Sequence, residues 1–239
     1  MKYLDLTFTD PATNLACDEA LLDHCESSDA GEVLRLWEPT DYFIVVGYSN
    51  KVAAEVNVPG CEAKKIPIYR RFSGGGAVLQ GPGCLNYSLV IKNEPMRSAF
   101  NIAESFKTIL KRHQELFTEL LSEPVQIGGI SDLVIGDKKI SGNCQHRKSH
   151  YTLFHGTVLL NLDLSMIQAT LRMPSKEPGY RQHRPHAEFL RNLVIDAERV
   201  RLSLKKKWGA EELFSCLPSE KIEQAVRERY SQQPWNFKF

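Results

Sequence analysis

Short apolar runs rich in β-branched and aromatic residues recur at irregular intervals between helical patterns, and this order constrains the fold more than any single residue does. Val33-Leu34-Arg35-Leu36-Trp37 and Tyr42-Phe43-Ile44-Val45-Val46 read as strands parted by the turn Glu38-Pro39-Thr40-Asp41. Residues 2–7, Ile66 to Arg70, Leu85 to Ile91 and Leu153 to Leu162 read as further strands, and Asp132 to Ser141 as a hairpin turning at Gly136-Asp137. Asp10 followed by Pro11 predicts an N-cap and first turn, opening a helix through about His24. A short helix is predicted after Asn50. The longest covers 98–121, with Phe106, Ile109, Leu110, Leu116, Phe117 and Leu120 at helical spacing. Pro174 to Pro185 reads as a loop, and one more helix follows Trp208, capped by Ser219 after Pro218. A regular βαβ array would alternate strictly. This chain does not, so the expected class is α+β, a mixed sheet with helices packed on it.

Of 239 residues 42% are apolar, enough for one core without disulfides or structural metals. Thirty Lys and Arg against 29 Asp and Glu leave a net charge of +1, which disfavours a nucleic-acid binder. No run approaches the ~18 apolar residues of a membrane span, and Met1-Lys2-Tyr3-Leu4-Asp5 turns acidic before a signal peptide could form. Cys17, Cys25, Cys61, Cys84, Cys144 and Cys216 include no C-x-x-C pair, so neither a zinc site nor a disulfide framework is expected. Reduced thiols in a cytoplasmic protein fit this pattern.

The strongest local signal is Arg70-Arg71-Phe72-Ser73-Gly74-Gly75-Gly76-Ala77-Val78. Three glycines let a backbone approach a ligand closely, and two arginines add charge suited to a carboxylate or phosphate; the plain alternative is a flexible turn. It is not a nucleotide-binding P-loop, because Pro82 stands where such a loop needs lysine. Gly136-Asp137-Lys138-Lys139-Ile140-Ser141-Gly142-Asn143 places two lysines on a hairpin arm. Strand alternation sends them to opposite sides, so Lys139 can point into a pocket while Lys138 meets solvent; two solvated lysines are the alternative. His155-Gly156-Thr157 lies in an apolar strand, where a histidine is either structural or a base. His146, His150, His183 and His186 accompany Arg147, Lys148, Arg181 and Arg184 in loop-like segments that read as solvated loops or as a docking surface. H-E-x-x-H and G-x-S-x-G are absent, which removes zinc-protease and α/β-hydrolase readings.

Taken in order, these segments resemble the lipoate–protein ligase family, which groups with octanoyltransferases and biotin ligases in one catalytic-domain superfamily. The resemblance covers roughly Leu15 to Leu193: Arg70 to Val78, Leu85-Asn86-Tyr87-Ser88, the hairpin Asp132 to Gly142, and His155 to Leu160 followed by Asn161-Leu162-Asp163-Leu164. It implies a class II synthetase- and biotin-ligase-like domain over 1–205, with a short helical extension over 206–239 in place of a full accessory domain. It also implies ATP-dependent activation of lipoate or octanoate to an acyl-adenylate, with Mg2+ accompanying the nucleotide. The acyl group then passes to a lysine of a lipoyl-carrier domain, such as a 2-oxoacid dehydrogenase E2 subunit or a glycine cleavage H protein, with or without a separate accessory protein. By the same resemblance Lys139 is the catalytic lysine that contacts acyl carbonyl and phosphate. Arg71, Ser73, Gly74, Gly75, Gly76 and Ala77 wall the acyl tail and adenylate; Asp132, Ser141 and Gly142 lie near the nucleotide; His155 and Gly156 form the pocket floor. No residue is assigned to a protein-held metal.

The chain departs from this pattern at Gln80-Gly81, where ligases carry His-Asp, and at Ser131, where they carry Asn. Gly81-Pro82-Gly83 instead resembles the octanoyltransferase turn. Those enzymes work without ATP through a cysteine thioester, but Ser175 occupies the place of the usual cysteine, leaving Cys144 or Cys84 as candidates. A non-catalytic acyl-binding module is the third reading. The biotin-ligase Gly-Arg-Gly-Arg-x-Gly-Arg loop is missing.

Overall fold

A computed structural model describes residues 1–93 and 102–239. In chain order the elements are β1 (Lys2–Asp5), α1 (Pro11–Ser28), β2 (Val33–Trp37), β3 (Phe43–Val46), α2 (Val52–Glu55), α3 (Val58–Ala63), β4 (Ile68–Arg70), β5 (Val78–Gln80) and β6 (Cys84–Lys92). They continue with α4 (Ile102–Leu121), β7 (Val125–Gly128), β8 (Asp132–Ile135), β9 (Lys138–Arg147), β10 (Tyr151–Leu159), α5 (Leu164–Thr170), α6 (His186–Phe189), α7 (Ala197–Lys207), β11 (Glu212–Leu213), α8 (Ser219–Ala225) and α9 (Gln233–Asn236). Positions 98–101 of the helix expected over 98–121 lie outside the described residues.

The main sheet has eight strands in the order β11-β1-β2-β6-β10-β9-β8-β7, and a smaller one has the order β4-β3-β5. Pairing is parallel at β11/β1/β2 and at β3/β4 and antiparallel elsewhere, so the sheet is mixed, as the irregular order of elements predicts. Alternate residues of β2 divide the core: Val33 and Trp37 pack with α1 on one face, while Leu34 and Leu36 pack with α4 and α7 on the other. Asp10 caps α1 as expected, its carboxylate accepting from Ala12 N and Thr13 N, and the helix runs on to Ser28 before Asp29 turns left-handed.

Several elements were not predicted: β5, β7, α3, α5 and α7 are short or weakly apolar and owe their form to packing. Ser219 is the first residue of α8 rather than its cap; Pro218 holds the cap position without a side-chain bond. The boundary expected after residue 205 falls inside α7. Beyond it the chain returns to the body, where Tyr230 Oη donates to Glu19 Oε2 (2.7 Å) and Asn236 Oδ1 accepts from Arg70 N (2.9 Å). Residues 206–239 therefore pack on α1 and β4 rather than standing apart.

A buried polar chain links the helices to the sheet. Trp208 Nε1 can only donate, so the 2.9 Å contact makes His113 Nε2 the acceptor and puts the ring proton on Nδ1, 3.0 Å from Tyr87 Oη. Tyr87 donates in turn to Asn143 Oδ1, and Asn143 Nδ2 to Ser131 O (2.7 Å), next to Asp132. Burial, with Lys207 and Arg112 nearby, pushes His113 from its ordinary 6.5 down to about 3. Between these values the unfolded chain binds a proton that the folded chain refuses, so stability falls as pH drops from 6.5 toward 3. His113→Gln keeps one donor and one acceptor but does not titrate. Its stability deficit in urea denaturation is expected to shrink steadily as pH falls through this window; a constant deficit would show that His113 is not held neutral.

Candidate active site

Strand register builds the site. One row across the sheet is Trp37, Asn86, Thr157, Gly142 and Asp132; the next on the same face is Arg35, Ser88, His155 and Cys144. Both rows border a cavity of about 550 Å3, within the range of small-molecule sites. Leu15, Trp37, Val45 and Val78 give it an apolar lining, and Lys139, Arg172, Lys176 and Arg181 a basic one.

Strict alternation would put Lys139 and Gly142 on opposite faces. Instead the β8/β9 register slips, Val134 opposing Lys139 while Leu133 opposes Ser141, and Ile140 is the extra residue. The bulge turns Lys139 to the cavity side, where its Nζ pairs with Asp132 Oδ1 at 2.9 Å. Gly142 makes this possible, since a Cβ there would lie 2.6 Å from Lys139 Nζ. Tyr180 Oη fixes the second carboxylate oxygen of Asp132 at 2.7 Å. Lys138 is exposed. Nearby, Thr157 donates to Asn86 Oδ1 (2.5 Å), Asn86 to Gln80 Oε1 (2.9 Å) and Gln80 to Thr157 Oγ1 (2.8 Å), a closed ring that gives Gln80 a structural place in the floor.

The two arginines beside the glycine run do different work from the anion contact expected of them. Arg70 is fully buried and donates to the carbonyls of Gly47, Tyr48, Asn50, Trp235 and Asn236, holding the C-terminal segment. Arg71 braces the loop from within: Nε and Nη2 donate to Gly74 O at 3.0 and 2.6 Å, and Nη2 to Gly76 O at 2.8 Å.

Sequence reasoning did not foresee the pairing of Cys144 with His155. They are direct cross-strand neighbours, Cys144 Sγ lying 3.0 Å from His155 Nε2, which also meets Ser73 Oγ at 2.7 Å. Burial pushes the Cys144 thiol up, but the His155 charge, the Arg71 guanidinium and the hydrogen bonds of His155 and Ser73 outweigh it and bring the thiol from 9.0 down to about 6. Burial lowers His155, and the adjacent thiolate more than offsets this, so His155 is raised. The pair favours thiolate and imidazolium. Cys84 is the opposite case, buried and pushed up to about 12.

Of the twelve residues expected at the site, nine line the cavity; Ser73, Gly74 and Ser141 do not. Ser73 acts from behind on His155, Gly74 lends its carbonyl to Arg71, and Ser141 lies on the opposite face, its Oγ 3.5 Å from Asn143 Oδ1. Of the other histidines, His150 pairs with Glu26, His183 with Glu177, and His146 packs on Phe72, while His186 borders the cavity; they form no single cluster. Among the described residues no three His, Cys, Asp or Glu side chains converge as a metal site, and no helix is long and apolar enough to cross a membrane.

An acyl-sized apolar cavity edged by a braced glycine loop and a fixed lysine defines a small-molecule-activating or transferring enzyme. The chain belongs to the lipoyl protein ligase A/B catalytic domain family, whose sequence model matches residues 10–204. It is 28% identical to lipoate–protein ligase 1 of Staphylococcus aureus, over 99% of this chain and 73% of that one. It is 30% identical to octanoyltransferase LipM of Oceanobacillus iheyensis, over 82% and 76%. In fold it is similar to a T. acidophilum protein described as a lipoate protein ligase, solved with bound lipoic acid (TM-score 0.83, 22% identity, 99% and 98% covered). It is similar also to a lipoate-protein ligase A bound with ATP (TM-score 0.83, 24% identity, 99% and 98% covered).

The glycines are unequal. Gly75 has φ +89°, and a Cβ there would lie 2.7 Å from Arg71 Nη2 and 3.3 Å from Cys144 Cβ, whereas at Gly74 it would meet nothing within 4 Å. Gly75→Ala is expected to cost about 1–3 kcal/mol, and Gly74→Ala no more than about 0.5 kcal/mol, by denaturant unfolding. Equal effects would mean that Arg71 does not fix the loop.

Proposed function

We propose that this chain is an ATP-dependent lipoate–protein ligase of the cytoplasm. The observation that carries the reading is the Lys139 ammonium, held by Asp132 over Gly142 on the wall of a cavity lined by both apolar and basic side chains. A lipoate or octanoate carboxylate oxygen attacks the α-phosphorus of MgATP; a carboxyl oxygen–phosphorus bond forms and pyrophosphate leaves. Lys139 neutralises charge building on carboxylate and phosphate, a task of positioning and electrostatics rather than proton relay. Arg172, Lys176 and Arg181 supply further positive charge on that side. Magnesium enters as part of the nucleotide substrate. The ε-amine of a lysine on a lipoyl-carrier domain then attacks the acyl carbon, an amide forms, and AMP leaves; a separate accessory protein can serve this second step.

One observation favours octanoyl transfer through a thioester: the Cys144 thiolate beside His155. Against it, Cys144 and Gly142, over which the lysine head lies, are same-face residues two apart on one strand, about 7 Å between backbone positions, a spacing that supports separate tasks for the thiolate and the lysine. The burial of Cys84 removes the other candidate nucleophile.

Lys139→Ala is expected to lower lipoate-dependent ATP–pyrophosphate exchange by at least ~100-fold, the usual scale for one preorganised charge, with Lys138→Ala close to wild type. The reverse ranking would sink the assignment. Absence of exchange in the unaltered protein, together with ATP-independent transfer from octanoyl carrier protein, would replace ligase by transferase.

A further inference from the structure

The Cys144–His155 pair has no part in adenylate chemistry as proposed, yet it borders the same cavity and is set apart from Lys139 in a way that suits a second task. Cys144 is partly accessible and Cys17, Cys25, Cys61 and Cys84 are buried. Its neighbours are charged or polar: His155 at 3.0 Å, Ser73 Oγ at 3.5 Å, and Arg71, whose Nη2 lies against the same Gly75 position as Cys144 Cβ. Behind His155 in the row, Ser88 donates to Asp18 Oδ2 (2.8 Å) and Arg35 pairs with Asp18 Oδ1 (2.6 Å), and Asp18 itself lines the cavity. An acyl tail needs none of this polarity; a saturated chain would be better served by alanine and leucine.

Lipoate is not a simple saturated chain. Five carbon–carbon bonds separate its carboxylate from its dithiolane ring, about 6 Å when extended, against the roughly 7 Å between same-face residues of a strand. The spacing from Gly142, beneath the lysine head, to Cys144 thus matches the length of lipoate between carboxylate and ring. We infer that Cys144 is a thiol–disulfide exchange site for the dithiolane of bound lipoate, with His155 as its proton partner; the inference rests on lipoate being the substrate. The Cys144 thiolate attacks one ring sulfur, a Cys144–lipoate disulfide forms, and the ring S–S bond breaks. The electron pair goes to the departing sulfur, which takes the proton from His155 Nε2. No external oxidant or reductant enters, since one disulfide replaces another. The freed thiol, still tethered, reverses the step and releases lipoate intact. The site thus holds lipoate by a bond that octanoate, lacking sulfur, cannot make.

The test uses the full chain with oxidised lipoate, quenched with N-ethylmaleimide and mapped by peptide mass. The peptide bearing Cys144 is expected to carry one lipoate and one maleimide on the released lipoate sulfur. This adduct should be removed by a reductant and resist hydroxylamine. Exposed Cys216 should carry maleimide alone, and with octanoate Cys144 should carry no acyl group, only maleimide. In His155→Gln the adduct should form about tenfold or more slowly, as for loss of a general acid. If calorimetry shows lipoate bound while Cys144 never acquires it, the inference fails and the ligase reading stands. If lipoate does not bind, both fall. Lipoate on Cys216 as much as on Cys144, or a hydroxylamine-labile octanoyl group on Cys144, also overturns it.

Discussion

The ion pair of Arg35 with Asp18 lies beneath the site, and the placement of everything above it follows from how that buried charge is satisfied. Both side chains are almost wholly withdrawn from solvent, a state tolerated only when nearly every donor and acceptor is used. Arg35 Nη1 donates to Asn14 O as well as to Asp18, and Nη2 to Asn14 Oδ1 and Leu6 O. Ser88 donates to the remaining oxygen of Asp18. Four stretches of chain, the end of β1, helix α1, β2 and β6, are thereby fixed to one point. Removing one partner would strand a charge at a cost of about 3–5 kcal/mol. The pair also places a carboxylate where it raises His155 and so supports the charge state of the Cys144 pair.

From that point outward the site is made by counting residues. Antiparallel register sets His155 beside Cys144 and Thr157 beside Gly142, and one inserted residue, Ile140, brings Lys139 onto the face that alternation would deny it. Ile140 is fully buried, so the bulge is held by core packing and not by the ligand. The glycine loop is treated in the same way. Arg71 ties the carbonyls of Gly74 and Gly76 from below, which holds the loop as a shaped backbone wall.

The sequence reading reached the mixed sheet, the capped start of α1, the strand Val33–Trp37 and the Asp132–Ser141 hairpin because each rests on local pattern or on ordered motifs; the bulge at Ile140 that turns Lys139 to the cavity is invisible to local alternation. It did not reach what depends on pairing between distant segments. Nothing near Arg70 signals that its partners are Trp235 and Asn236, and nothing near Cys144 signals His155 across a turn. Helix α1 hides its character for the same reason. Asn14, Asp18 and Glu19 look like a solvent face, yet all are buried because Arg35 and Tyr230 meet them from other elements. In the sequence His155 reads as a structural residue or a base; its proton relation to Cys144 appears only when β9 and β10 are laid side by side.

The kinship of the chain spans ligases and transferases alike, and the physical difference between those chemistries is where charge and nucleophile stand relative to one carbonyl. A ligase needs a cation at the carboxylate; a transferase needs the thiolate there too. Here the two are present but displaced along β9 by two residues, with Lys139 folded back over Gly142 and Cys144 beyond it. Ser175, which the resemblance places where transferases carry the cysteine, donates its hydroxyl to Glu55. In the proposed reading the lysine pole acts on the carboxyl end of the substrate and the thiolate pole faces the far end, where lipoate carries sulfur.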